Sequence, residues 1–262
     1  MPALIFDCDG VLADTEVDGH LRAFNEMFAQ LGVPVQWSLE DYAQKVRIGG
    51  GKERLASLFS DPVADQLGVA EEDRAETVAL WHRTKTEIYT RLVADGLMPA
   101  RPGIARIIAE AHAAGWALAM ASTSAEASVR AVLEHSVGPQ QAAAFRIFAG
   151  DAVKNKKPAP DIYLLALDQL GIDANAAVVV EDSENGMRAA HAAGLRTIVT
   201  TSTLTHDENF EGASLVVDCL GSTATGVSLQ VASDPLEIAP HAEVRLTDIQ
   251  KVLEQPLLHR GA

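Results

Sequence analysis

Cysteine is scarce in this chain, with only Cys8 and Cys219 among 262 residues. Both lie in apolar, strand-like surroundings, so they read as small buried side chains, and a disulfide-built scaffold is excluded. No apolar stretch approaches the roughly 20 residues that a membrane helix needs. The first apolar run is only a few residues long and has no basic segment before it, so it reads as a core strand and not as an export signal. These absences predict a cytoplasmic protein. Positive charge is also short: 21 Lys and Arg stand against 36 Asp and Glu, for a formal net charge of −15. That balance argues against nucleic acid and anionic membranes as partners. A small anionic substrate stays compatible, provided its site gathers its own positive charge. There are no internal repeats.

What is present is a soluble-type composition, 48% hydrophobic, in a chain long enough for one large domain or a core with a smaller companion. Short apolar runs at 3–6, 116–121, 147–149, 177–180, 196–199 and 215–217 predict strands. Helix-like segments at 103–114, 125–134, 159–170 and 184–193 separate most of them. This alternation predicts an α/β fold, a mainly parallel sheet covered on both faces, with its site at the carboxyl ends of the strands. From about residue 17 to 95 the alternation stops. Only helical periodicity remains, as at 20–31 and 71–94, and the exit is marked by Gly96-Leu97-Met98-Pro99 and Arg101-Pro102-Gly103. The expected organisation is a core of residues 1–15 and 97–225, an inserted helical cap of 16–96, and a C-terminal extension of 226–262 with a short helix at 246–254. A lid of this kind can exclude water and carry specificity residues.

The chemistry concentrates at strand ends. Ala3-Leu4-Ile5-Phe6 leads into Asp7-Cys8-Asp9-Gly10. A buried strand has no structural need for acids at its end, and the two-residue spacing puts both carboxylates on one side of an extended backbone. One can bond covalently to a phosphate while the other moves protons. Ser122-Thr123-Ser124 and Glu181-Asp182-Ser183 follow two later apolar runs, and Lys157-Pro158-Ala159-Pro160-Asp161 opens a helix. Taken singly, several of these have plainer uses. Glu181 and Asp182 suit a helix N-terminus, Ser124 suits an N-cap, and Lys154 and Lys156 suit a solvated surface. In the predicted cap, Gly49-Gly50-Gly51-Lys52-Glu53-Arg54 offers close backbone approach and two cations for an anionic group, or a helix–helix turn with surface charges. In His82-Arg83-Thr84-Lys85, His82 and Lys85 share a helical face, whereas Arg83 and Lys85 do not.

Taken together and in order, these four motifs resemble those of the haloacid dehalogenase-like (HAD) superfamily. The resemblance implies a Rossmann-like core, a parallel sheet flanked by helices, with an inserted α-helical cap. It implies Asp7 as nucleophile, Asp9 as general acid and base, Ser122 as a phosphate donor and Lys157 as the fixed cation on the transferred phosphoryl group. It also implies Mg²⁺ as cofactor, held by the Asp7 carboxylate, the Asp9 backbone carbonyl and Asp182, with Glu181 as a ligand or as the holder of a water.

Asp7 to Glu16, then His20, Tyr42, the Gly-Gly-Gly-Lys-Glu-Arg run and His-Arg-x-Lys resemble the CbbY-type phosphatases of carbon-fixing organisms, over about residues 1–220. Arg101-Pro102-Gly103 and Phe148-Ala149-Gly150-Asp151 belong to the same resemblance. It implies hydrolysis of xylulose-1,5-bisphosphate, a misfire product that inhibits Rubisco, to xylulose 5-phosphate. Lys52, Arg54, His82, Arg83 and Lys85 would then hold the phosphate that is not transferred, and Glu16 and His20 would meet sugar hydroxyls. Gly50, Gly51, Thr123 and Ser124 would also contact substrate. Tyr42 is equally suited to the cap core, and Arg47 reads as surface. A β-phosphoglucomutase-like mutase shares all four motifs. A general sugar-monophosphate phosphatase fits less well, given two cationic clusters. A non-catalytic binding protein would have lost an acid or the lysine, and none is lost here. The expected partner is a small sugar bisphosphate, and the expected state is a monomer.

Overall fold

The computed structural model describes residues 1–258. Its centre is a sheet of strands β1 (Ala3–Phe6), β2 (Ala117–Ser122), β3 (Phe145–Ala149), β4 (Ala177–Glu181), β5 (Arg196–Thr200), β6 (Leu215–Val217) and β7 (Val231–Ser233), in the order β3-β2-β1-β4-β5-β6-β7. β1 to β6 are parallel, and β7 adds antiparallel to β6. β1, β4 and β5 are buried along their whole length, as parallel strands covered on both faces should be. Side chains alternate between the two faces. Leu4 and Phe6 join one core cluster, while Ala3 and Ile5 join the other.

Helices fill both sides. α6 (Ile104–Ala113) buries Ile104, Ile107, Ile108 and Ala111, a single stripe at helical spacing. α7 (Glu126–Val137) lies on that same face through Val129, Val132 and Leu133. α9 (Asp161–Leu170) and α10 (Glu184–Ala192) cover the other face. α8 (Pro139–Ala142) is a single turn. The register aligns Phe6 with Met120 and with Val180. Asp7, Ser122, Glu181 and Asp182 therefore emerge within about one residue of each other at the carboxyl edge.

Between β1 and α6 every described regular element is helical. A π-helical turn over Glu16–Leu21 runs into α1 (Arg22–Gln30), followed by α2 (Leu39–Lys45), α3 (Gly51–Ala56), α4 (Ala64–Leu67) and the long α5 (Arg74–Ala94). A capping box between Ser38 and Asp41 starts α2. Phe24, Phe28, Trp37 and Tyr42 pack ring against ring inside this insertion. α5 contacts α1, α3 and also α7 of the core.

The C-terminal stretch is tied into the core. α11 (Leu246–Glu254) contacts β4 and α6, and Leu229, Ile238, Val244, Ile249 and Val252 join the main cluster. Arg106 reaches across to the Val244 carbonyl at 2.8 Å. β7 has no counterpart in the sequence reading, because its three residues are all exposed and carry no alternation. No helix of the described residues is long and apolar enough to cross a membrane.

Candidate active site

Three carboxylates from two adjacent strands converge. One oxygen each of Asp7, Glu181 and Asp182 lies within 4.8 Å of the others, and all three residues are buried. Two glycines make this approach possible. Gly10 turns the chain at φ 76° beside Asp182, where a Cβ would overlap the carboxylate. A Cβ on Gly186, in the first turn of α10, would overlap Glu181.

Lys157 is the counter-charge. Its Nζ donates to Asp7 Oδ1 at 2.7 Å, Glu181 Oε1 at 2.6 Å and the Ala121 carbonyl at 2.7 Å, so its three protons are all used. Burial alone would discharge it, but Asp7 and Glu181 outweigh that and lift its pKa well above the usual lysine value. Glu181 has little left for a ligand. Its Oε1 also accepts from Tyr163 at 2.6 Å, and its Oε2 accepts from the Asp182 amide at 3.1 Å and Ser183 Oγ at 3.4 Å. Asp182 Oδ2 accepts from Ser202 Oγ at 2.7 Å. Burial pushes Asp7 up to about 8 against the pull of Lys157, with Glu181 adding to the rise. Burial, then Glu181 and Asp7, push Asp182 well above the carboxylate range. A pocket with three acids, one fixed cation and hard oxygen donors has the chemistry to hold a small divalent cation.

Asp9 sits in a different setting. Its Oδ1 accepts from Thr15 at 2.5 Å, His20 Nε2 at 2.7 Å and Tyr89 at 3.3 Å, and its Oδ2 accepts from Ser124. Burial would raise Asp9, but His20, Ser124 and Thr15 outweigh it and hold the carboxyl far below its usual range. Lys85 contacts His20 Nδ1. With Lys85 charged, that nitrogen must accept, and Nε2–H donates to Asp9. Burial lowers Lys85 to about 7. The π-helical turn is what brings His20 back onto Asp9.

The other sequence-predicted residues divide. Ser122 and Thr123 line the same cavity as Asp7, Asp9, Lys157 and Asp182. Ser124 lines it too, but it is no helix cap. Ala125 occupies the N-cap of α7, and the Ser124 hydroxyl goes to Asp9. Glu16, Tyr42 and Arg54 form a buried triad: Tyr42 donates to Glu16, and Arg54 Nη1 donates to Tyr42 at 2.8 Å. Arg54 also binds the carbonyls of Ile48 at 2.9 Å and Val46 at 3.2 Å, which ties the backbone just before the glycine loop to the same guanidinium. Tyr42 is thereby both core and hydrogen-bond partner. Gly50, Gly51, His82 and Lys85 line a neighbouring cavity with His20 and Arg54. Burial drives His82 down to about 4, so it stands there neutral. Lys52 is ion-paired with Asp151 of the core. Arg83 is exposed and lines none of these cavities, because α5 turns it away from the face that carries His82 and Lys85.

Sequence reasoning missed Tyr89, Tyr163, Ser202 and Arg47. Tyr89 was findable, since His82, Lys85 and Tyr89 form one i, i+3, i+7 stripe. Tyr163 and Ser202 reach the site only through the fold, and no local signal marks them. Arg47, read as surface, lines the cavity of Asp7 and Asp9.

Residues 1–194 match the family model described as haloacid dehalogenase-like hydrolase. The chain belongs to the haloacid dehalogenase-like hydrolases. Within them it is 45% identical over 220 residues to the CBBY-like protein of Arabidopsis thaliana, covering 84% of this chain and 69% of that one. It is 44% identical over 231 residues to Protein CbbY of Cupriavidus necator, covering 86% and 87%. Among solved structures, a mutant of CbbY from Rhodobacter sphaeroides in complex with xylulose-(1,5)bisphosphate superposes with a TM-score of 0.74 at 42% identity, over 84% of this chain and 95% of that chain. β-Phosphoglucomutase from Clostridium difficile, at a TM-score of 0.66 and 22% identity, shares the fold. This HAD protein is a CbbY-like phosphatase, and the haloacid dehalogenase-like core explains why its acids gather at the carboxyl ends of β1 and β4.

Proposed function

We propose that this chain is a Mg²⁺-dependent phosphatase of a sugar bisphosphate, converting xylulose-1,5-bisphosphate to xylulose 5-phosphate. The observation that carries the reading is the Asp7–Lys157–Asp182 cluster, which shares one cavity with Asp9, itself held by His20 of the helical insertion. The ligand of the Rhodobacter relative supports the choice of substrate. On this reading residues 16–96 form the cap over a core of 1–15 and 97–225, and the reaction removes an inhibitor of Rubisco.

Asp7 attacks the phosphorus, and the bond from phosphorus to the sugar oxygen breaks. Asp9 gives that oxygen a proton. Asp9, again a carboxylate, then takes a proton from the water that attacks the aspartyl-phosphate, releasing inorganic phosphate and restoring Asp7. The proton gained in the second half serves the next leaving group. Thr15, His20, Tyr89 and Ser124 hold Asp9 in the base form that the water step needs. Lys157 keeps Asp7 aimed and offsets charge on the moving phosphoryl group. Mg²⁺, held by Asp7, the Asp9 carbonyl and Asp182, would neutralise the repulsion between phosphate and nucleophile. Ser122 would donate to a phosphate oxygen.

Product analysis in Mg²⁺ tests the reading. A phosphatase releases inorganic phosphate and leaves xylulose 5-phosphate. A mutase isomerises β-glucose 1-phosphate without net release.

The metal assignment carries its own prediction. Folded Asp7 keeps its proton to about pH 8, whereas an unfolded aspartate loses it near pH 4. Between those values the folded chain binds more protons, so the contribution of Asp7 to stability falls as pH rises. A divalent cation takes the place of that proton. Mg²⁺ at about 100 times its Kd should stabilise the protein by ~2.7 kcal/mol. Thermal melts should show a larger rise at pH 8 than at pH 6, reversed by chelator. An equal melting temperature with and without Mg²⁺ at pH 8 would contradict the assignment.

A further inference from the structure

Arg101 opens the return of the chain from the helical insertion to the core. It follows a bridge between Ala13 and Ala100, and its amide donates to the Leu12 carbonyl at 2.8 Å. Its side chain is half-buried. Nη1 donates to the Gly10 carbonyl, to the Thr200 carbonyl at 2.9 Å and to Thr200 Oγ1 at 3.4 Å. Nη2 donates to the Thr201 carbonyl at 2.6 Å and to the Asp218 carbonyl. One planar fork thus gathers the turn after β1, the end of β5 and the residue after β6. No carboxylate is among its described hydrogen-bond partners, so what it supplies is geometry and not an ion pair.

Two of these three segments end on the same atom. Thr201 leads into Ser202, whose Oγ donates to Asp182 Oδ2 at 2.7 Å. Thr205 Oγ1 accepts from the Ser202 amide at 2.9 Å and stands 3.5 Å from that same oxygen. Gly10 closes in from the other strand, where a Cβ would overlap Oδ2. Among the described residues, every hydrogen bond to the Asp182 carboxylate falls on Oδ2, which leaves Oδ1 for a cation. A carboxylate is planar, so what fixes Oδ2 also fixes the direction of Oδ1.

We infer that Arg101 is a positioning residue for the metal acid: by holding Gly10 and the 200–202 turn it sets Asp182 Oδ2, and through it aims Oδ1 at the cation. The inference rests on the Mg²⁺ assignment above and adds the residue that prepares the site. Arg101 lines none of the three cavities at the seam, so it acts through its neighbours. Its charge alone would work the other way, because a guanidinium near a cation site repels the cation. Removing it would then tighten Mg²⁺ binding. Losing a group that orients a metal ligand loosens binding, by about 10- to 100-fold.

The test is calorimetric titration of the protein with Mg²⁺ alone, without substrate, below every melting temperature. It compares wild type, Arg101→Met, Arg101→Lys, Ser202→Ala and the double variant Arg101→Met/Ser202→Ala. Arg101→Met should raise the Kd for Mg²⁺ about tenfold. Arg101→Lys keeps the charge but loses the fork, and should raise it too. Ser202→Ala should match them, and the double variant should be no weaker than about the worse single, since both act on one oxygen. In turnover, the Arg101 variants should need more Mg²⁺ yet keep the wild-type KM for substrate once Mg²⁺ saturates. A Kd that is unchanged or lower in the Arg101 variants, with wild type binding Mg²⁺, would overturn this inference alone, whatever their melting temperatures. Should Arg101→Met fail to fold, Arg101→Lys and Ser202→Ala decide by the same criterion. A wild type that takes up no Mg²⁺ would overturn the metal assignment as well.

Discussion

Asp7→Asn is expected to abolish phosphate release, by at least about 10⁴-fold or ~5.5 kcal/mol in the barrier, while the protein stays folded. The amide has the shape of the carboxyl group but cannot attack phosphorus. The fold should tolerate it, because burial already favours an uncharged group at this position and Lys157 keeps Glu181 at 2.6 Å. The melting temperature should match or exceed that of wild type. Acid-quenched wild type should yield the peptide containing Asp7 with one added phosphoryl group, and the variant should not. Retained turnover in Asp7→Asn would move the nucleophile elsewhere.

Lys157→Met is expected to fail in both respects. It leaves Glu181, fully buried, with Tyr163 and local donors but no cation, and it leaves Asp7 facing two other acids. Removing one partner of a buried charge pair costs about 3–5 kcal/mol, or a fall in melting temperature on the order of 10 °C for a chain of this size. Phosphate release should fall with it, even well below the new melting temperature, because the phosphoryl group loses its fixed cation. A variant as stable as wild type would show that the three acids are not held together by Lys157. The contrast between the two variants is informative. Both remove one end of the same 2.7 Å contact, yet only one leaves an unpaired charge behind.

The core was legible from the sequence for physical reasons. Parallel strands buried on both faces tend to be near-continuous apolar runs, and β1, β2, β4 and β6 are. Polar residues just past such runs are out of place unless they are used, which is why Asp7, Ser122 and Asp182 could be named without coordinates. The insertion was legible as helical but less so in detail. Lys52, Arg54, His82, Arg83 and Lys85 look alike in one dimension as cations near glycines or on a helix. Folding separates them: Arg54 turns to backbone carbonyls, His82 loses its charge, Lys85 meets His20, Lys52 finds Asp151, and Arg83 points outward. For Lys85 and Lys52 the partner lies dozens of residues away, which no local spacing encodes. The same holds for Tyr163 on Glu181 and Ser202 on Asp182. β7 escaped because an exposed three-residue edge strand has neither length nor alternation to mark it.

The measurement that tests the central claim most directly is Mg²⁺-dependent phosphate release from xylulose-1,5-bisphosphate beside ribulose-1,5-bisphosphate, fructose-1,6-bisphosphate, β-glucose 1-phosphate and xylulose 5-phosphate. The account predicts strong preference for the first, with ribulose-1,5-bisphosphate spared. Equal turnover of the monophosphates, or isomerisation of β-glucose 1-phosphate without phosphate release, would contradict it.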